Sequence, residues 1–297
     1  MSATTATAHP APSAVIELLK PITWFAPMWA FGCGVISAGV FPTAAWVKVL
    51  IGVVLAGPLV CGTSQALNDW FDREVDAINE PLRPIPSGRV PLRWGLGIAT
   101  GWTALSLIAA SALGRWGLGA AIVGLVLSWA YSAPPIRLKR NGWWGNSAVA
   151  ACYEGLPWFT GAAVMAGAFP SLRVLAAAIL YSAGAHGIMT LNDFKSVEGD
   201  RATGIRSLPV LLGEGRAARV ACLIMAVPQF AMIVLLLFWE RPYPAIGVAT
   251  LLLIQLGLMA KLLRDPRALA PWYNATGTTL YVIGMLLSAF ALSSLGR

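Results

Sequence analysis

Apolar runs of about 20 residues recur along this chain, separated by short polar segments, and that recurrence narrows the fold to one class. A run of that length can cross a bilayer as a helix, which satisfies its backbone hydrogen bonds within the segment. Nine spans are expected, at 22–40, 46–67, 94–113, 117–133, 146–166, 172–192, 218–239, 244–263 and 273–293. The fold expected is all-α, a polytopic membrane bundle of nine transmembrane helices around a cavity opening near the cytoplasmic side. Composition agrees, since only 11% of the 297 residues are charged and mean hydropathy is +0.69. A soluble domain carries about 25% charged residues. Residues 1–20 are small and polar, with no cation before Lys20, and are expected to form a disordered N-terminal tail. Residues 21–297 then make one nine-span domain.

The formal net charge of +8 would suit a nucleic-acid partner, but its placement does not. With the N-terminus inside, the outer segments hold Lys48, Arg115, Arg173, Arg241 and Arg297, and the inner segments hold the other 16 of the 21 Lys and Arg. That bias is the positive-inside pattern. It implies a multi-pass membrane protein, N-terminus cytoplasmic, with the lipid bilayer as its surroundings and no nucleic acid. Cys33, Cys61, Cys152 and Cys222 stand singly inside the spans and read as small apolar residues. Besides His9 the chain has one histidine, His186, so a histidine-based zinc site or a Ser-His-Asp triad is not expected.

Two polar segments on the inner side begin alike. They are Asn68-Asp69-Trp70-Phe71-Asp72-Arg73-Glu74-Val75-Asp76 and Asn192-Asp193-Phe194-Lys195-Ser196-Val197-Glu198-Gly199-Asp200. Each follows an apolar run, and the 124 residues from Asp69 to Asp193 enclose an even number of crossings. At 100° per residue Asn68, Asp69, Asp72 and Asp76 share one helical stripe, and Asn192, Asp193, Ser196 and Asp200 would share another. Carboxylates crowded at about 4 Å repel by about 4 kcal/mol at an effective dielectric near 20. A stripe of hard oxygens is explained by Mg²⁺, which needs few protein ligands when phosphate supplies the rest. Ser196 makes the second stripe the weaker ligand set. Lys195, Arg83, Arg89 and Arg206 are candidates for diphosphate oxygens.

A third segment, Tyr131-Ser132-Ala133-Pro134-Pro135-Ile136-Arg137-Leu138-Lys139-Arg140, closes the fourth run and places Arg137 and Lys139 on the same side. Tyr131 suits either a diphosphate contact, shielding of an allylic cation, or interfacial anchoring. Glu154 and His186 are ionisable residues at span depth and functional candidates for that reason. His186 precedes Asp193 by two turns on nearly the same face. Trp143-Trp144 and Trp158-Phe159 could line a site for a flat aromatic substrate.

Together these motifs resemble the UbiA-type membrane prenyltransferases, over residues 20–293. Within that family Pro134–Gly145, Tyr153–Gly161, Asn192–Asp200 and the run Gly204–Val210 are most similar to the chlorophyll and bacteriochlorophyll synthase branch. The resemblance implies prenyl transfer from geranylgeranyl or phytyl diphosphate to the propionate of a tetrapyrrole acceptor, bacteriochlorophyllide before chlorophyllide. A haem or quinone acceptor is the more distant enzymatic alternative. It also implies two Mg²⁺ bridging the diphosphate, one on Asn68, Asp69, Asp72 and Asp76 and one on Asp193 and Asp200. Tyr131 joins these aspartates as a catalytic candidate, with Arg83, Arg137, Lys139, Asn192, Lys195, Arg206, Glu154 and His186 around the substrates. Pigment-biosynthesis or assembly proteins would be partners, and the membrane an inner or photosynthetic one. A secondary transporter is the alternative outside enzymes, but transporter sites usually lie near the midplane, whereas these acids cluster at span ends.

Overall fold

The computed structural model describes residues 9–40 and 45–294, and these are helical, with no strand beyond one isolated bridge. The helices are α1 (Pro12–Leu19), α2 (Phe25–Ser37), α3 (Trp46–Val54), α4 (Gly62–Asn79), α5 (Leu92–Ser111), α6 (Gly114–Ser132) and α7 (Gly142–Ala150). They continue with α8 (Leu156–Ala166), α9 (Leu172–Asn192), α10 (Val197–Ala202), α11 (Leu208–Leu212), α12 (Glu214–Phe238), α13 (Pro242–Leu262) and α14 (Pro266–Ser293). A π-turn, Leu55–Cys61, fuses α3 to α4, and another, Ala151–Gly155, fuses α7 to α8. Six helical bodies among the described residues are long and apolar enough to cross a membrane: Trp46–Ile78, Leu92–Ser111, Leu172–Ala202, Glu214–Phe238, Pro242–Leu262 and Pro266–Ser293. The other three expected spans also fall on helices, but α2 has only 13 residues, and α7 and α8 are parted by a π-turn. The four cysteines are free thiols, with Cys33, Cys61 and Cys222 buried and Cys152 half-buried.

The main core gathers α2, α8, α9, α12, α13 and α14 around Trp158, Tyr181, Met225 and Tyr281. Helices lying in lipid gain little from hiding apolar surface, so close packing of small residues holds them together. Gly34 and Gly161 show the consequence. A Cβ on Gly34 would fall 2.1 Å from the Trp158 carbonyl oxygen, and one on Gly161 would fall 2.2 Å from that of Phe31. Between α12 and α13, Gln229 and Gln255 exchange two amide hydrogen bonds of 3.3 and 2.9 Å, so neither buried amide is left unpaired.

The N-terminal segment differs from expectation. The expected tail is disordered to residue 20, yet Pro12–Leu19 is a helix whose Ala14, Leu18 and Leu19 pack against Ala66, Leu67 and Val90. The apolar residues share one face, and Glu17 on the other pairs with Arg89 at 2.6 Å. Residues 1–8 of that tail lie outside the described residues.

Candidate functional site

α4 is regular from Gly62 to Asn79, so the expected stripe forms and meets the basic segment that follows α6. Asp69 is fully buried, and its Oδ1 accepts from Lys20 Nζ at 2.7 Å and lies 3.4 Å from Arg83 Nη1. Asp76 Oδ2 accepts from the same Arg83 at 2.7 Å. Asp72 accepts from Arg137 at 3.1 Å, from Lys139 at 2.6 Å and from Asn68 Nδ2 at 3.0 Å. Acids and cations therefore alternate through the cluster, which offsets the repulsion and desolvation of buried carboxylates. Among the described residues no three acids converge as a preformed metal cage. Asp69 Oδ2 nevertheless remains buried without a hydrogen-bond partner.

Burial lowers Lys139 from its usual lysine range, opposed by Asp72 beside it. Arg83 is raised: burial pulls it down, but Glu80, Asp69 and Asp76 together outweigh that loss. Both side chains are thus tied to the carboxylates they face. Arg137 reaches Asp72 from a left-handed backbone, at φ 42°, where the chain reverses between α6 and α7. Tyr131, near the end of α6, is close enough to Asp193, Asp72 and Asp200 to feel their charge.

The second motif departs from the expected single stripe. α9 stops at Asn192, Asp193–Ser196 is a 3₁₀ turn, and α10 restarts at Val197. The tighter turn shifts the residues after Asn192 out of register with it, and Asn192 Oδ1 accepts from Asn274 of α14 at 2.8 Å on the exposed side. Asp193 is held instead by Asn146 of α7, whose Nδ2 donates to Oδ2 at 3.0 Å and also lies 3.3 Å from Thr190 Oγ1. Ser196 Oγ donates to Asp200 at 3.1 Å, so Ser196 binds its neighbouring acid.

Among the other candidates, Arg89 is diverted to Glu17 and belongs to the packing of α1. Arg206 serves through its backbone. Its N–H donates to Arg140 O and its carbonyl accepts from Gly142, which ties the loop after α10 to the segment before α7. The side chains of Lys195 and Arg206 are exposed. Glu154 is buried in the second π-turn with Oε2 unpartnered. Its neighbour Tyr153 accepts from Gln65 Nε2 of α4 at 3.1 Å. His186 is buried, and its Nδ1 lies 3.1 Å from Ser147 Oγ. Trp143 leans over the imidazole at 5.5 Å between centroids, whereas Trp158 stacks on Tyr181 inside the core.

Lys20 and Asn146 were not among the expected site residues. An amide at the start of an apolar run, and a lone cation ending a tail, were the available signals. Beside Asn146 opens an apolar groove of about 630 Å³, lined by α7, α8 and α9 and bounded by Ile224 of α12.

Residues 24–290 match the UbiA prenyltransferase family. A relative from Cereibacter sphaeroides, the bacteriochlorophyll synthase 33 kDa chain, is 58% identical over 96% of this chain and 95% of its own. The chloroplastic chlorophyll synthase of Oryza sativa is 36% identical over 94% of this chain and 76% of its own. Among solved structures, a UbiA homologue from Archaeoglobus fulgidus, bound to GPP and Mg²⁺, superposes with a TM-score of 0.70. It covers 95% of this chain and 99% of its own at 20% identity, a likeness of fold. Family match, identity and fold agree: the chain belongs to the UbiA prenyltransferase family.

Proposed function

We propose that the protein transfers a geranylgeranyl or phytyl group from its diphosphate to the propionate of bacteriochlorophyllide. The observation that carries the acceptor is the 58% identity, along nearly the whole chain, to a bacteriochlorophyll synthase, against 36% to a chlorophyll synthase. The interleaved acids and cations of the α4 end support the donor. Asp69, Asp72 and Asp76 on one side and Asp193 and Asp200 on the other would hold Mg²⁺, for which the buried, unpartnered Asp69 Oδ2 offers a free hard-oxygen ligand. When bound, the ions would neutralise the charge that builds on the departing pyrophosphate.

The chain's own residues do the rest. Lys20, Arg83, Arg137 and Lys139 sit within hydrogen-bond reach of the carboxylates and would turn to the diphosphate oxygens as it enters. The propionate oxygen attacks the allylic carbon, the carbon–oxygen bond to the diphosphate breaks, and its electron pair leaves with pyrophosphate. The attacking carboxylate is ionised near neutral pH, so no general base is required. Tyr131, which feels the charges of Asp72, Asp193 and Asp200, would face the carbon that gains positive character. Apolar walls keep water from capturing it. We further place the N-terminus and both motifs on the cytoplasmic side of an inner or photosynthetic membrane.

The test incubates membranes holding the protein with Mg²⁺, geranylgeranyl diphosphate and, in parallel, bacteriochlorophyllide, chlorophyllide, haem and a hydroxybenzoate. Esterified bacteriochlorophyllide as the main product is expected. Preferential prenylation of another acceptor overturns the assignment.

A further inference from the structure

The groove beside Asn146 is not required for binding a diphosphate, and its lining has a distinct character. Trp143 and Ser147 line it from α7, Phe159 from α8, Ile179, Ser182 and His186 from α9, and Ile224 from α12. Ile179 is largely exposed, so the groove is open on its side, toward lipid in a membrane. At about 630 Å³ it is within the range of about 300–1,000 Å³ that small-molecule sites span. Its polar side chains include Ser147 and Ser182 and one ionisable group, His186. His186 is 6% exposed, and its Nε2 is buried with no hydrogen-bond partner among the described residues. A buried ring nitrogen without a partner is uncommon and calls for an explanation.

Ser147 Oγ lies against the other nitrogen, Nδ1. When Nδ1 carries the proton and donates to that hydroxyl, Nε2 presents a bare lone pair, the form in which histidine binds a metal. An indole above the imidazole adds a flat aromatic surface beside that lone pair. We infer that the groove seats the macrocycle of the tetrapyrrole acceptor, with His186 as the axial ligand to its central magnesium. The inference rests on the acceptor proposed above.

The position also suits the reaction. Seven residues of α9 separate His186 from Asp193, about 10 Å of helical rise. A propionate arm on a ring seated at His186 therefore extends toward the carboxylate end. Asn146 marks the junction, since it lies between Trp143 and Ser147 in sequence and holds Asp193. An acceptor dissolved in the bilayer would enter sideways past the exposed Ile179, without crossing the charged cluster.

Bacteriochlorophyllide added to the detergent-solubilised full chain, without prenyl diphosphate, tests this directly. The visible bands of the pigment respond to the number of ligands on magnesium. The wild type should shift them, and His186→Ala should not, with added imidazole restoring the shift. In turnover, His186→Ala should raise KM for bacteriochlorophyllide by about tenfold or more. KM for geranylgeranyl diphosphate should stay within about twofold. Ile179→Trp, which narrows the exposed side of the groove about two turns of α9 from the imidazole, should raise only the acceptor KM. Wild-type turnover together with an unaltered band and acceptor KM in His186→Ala overturns the inference alone. Failure of the wild type to esterify bacteriochlorophyllide overturns the acceptor assignment, and this site with it.

Discussion

Asp72 accepts from two cations and an amide at once, so its loss does more than remove one ligand. Asp72→Ala leaves Arg137 and Lys139 without their shared partner and should abolish esterification while the protein still inserts, measured as product per unit of membrane-embedded protein. Lys20→Ala and Lys139→Met each delete one charge-assisted contact worth about 1.5–3 kcal/mol. Each should therefore lower kcat/KM for the prenyl diphosphate by roughly tenfold to a hundredfold. Because burial lowers Lys139, its charge is lost at a lower pH than that of a surface lysine. KM for the diphosphate should accordingly rise at moderately alkaline pH, and Lys139→Arg, which keeps its charge, should move that rise to higher pH. The acids of this cluster were legible because helical arithmetic needs only local spacing. Which cation meets which acid was not: Lys20 lies 49 residues from Asp69 and Lys139 lies 67 from Asp72, and no local rule reaches across such loops.

At the scale of elements, regularity decides where that arithmetic holds. Asn68–Asp76 lies wholly inside α4, downstream of the π-turn, so its phase is undisturbed. Asn192–Asp200 crosses from α-helix through a 3₁₀ turn, and each residue there advances by a different angle. The apolar periodicity marks the helices but carries no sign of either π-turn. The α2–α8 crossing depends on Gly34 and Gly161, where an added Cβ would meet backbone that cannot move aside. Gly161→Val should destabilise the fold by about 1–3 kcal/mol, as overpacking does. The measurement is the thermal midpoint in detergent. An equal substitution at Gly119, which has open space, is the control.

For the whole molecule, the charge bias is what leads us to propose one side of the membrane for both motifs, and the segment before α7 touches each region, Asp72 through Arg137 and Lys139 and the loop after α10 through the backbone tie between Arg140 and Arg206. Single cysteines replacing Arg83 and Arg206 should react with a membrane-impermeant maleimide only from the cytoplasmic side, and ones replacing Arg115 and Arg173 only from outside. The all-α membrane class was legible because long apolar runs admit few folds. The spans that are short or divided were harder to read, because packing among neighbours sets helix length inside a bundle. The alternation of acids and cations has a consequence for turnover. With no ligand bound, Lys20, Arg83, Arg137 and Lys139 already have carboxylates to occupy them. Once the prenyl chain has moved, the same carboxylates can reclaim them one contact at a time. Pyrophosphate then leaves by exchange rather than by the simultaneous rupture of every contact, and the grip that favours ionisation need not trap the product.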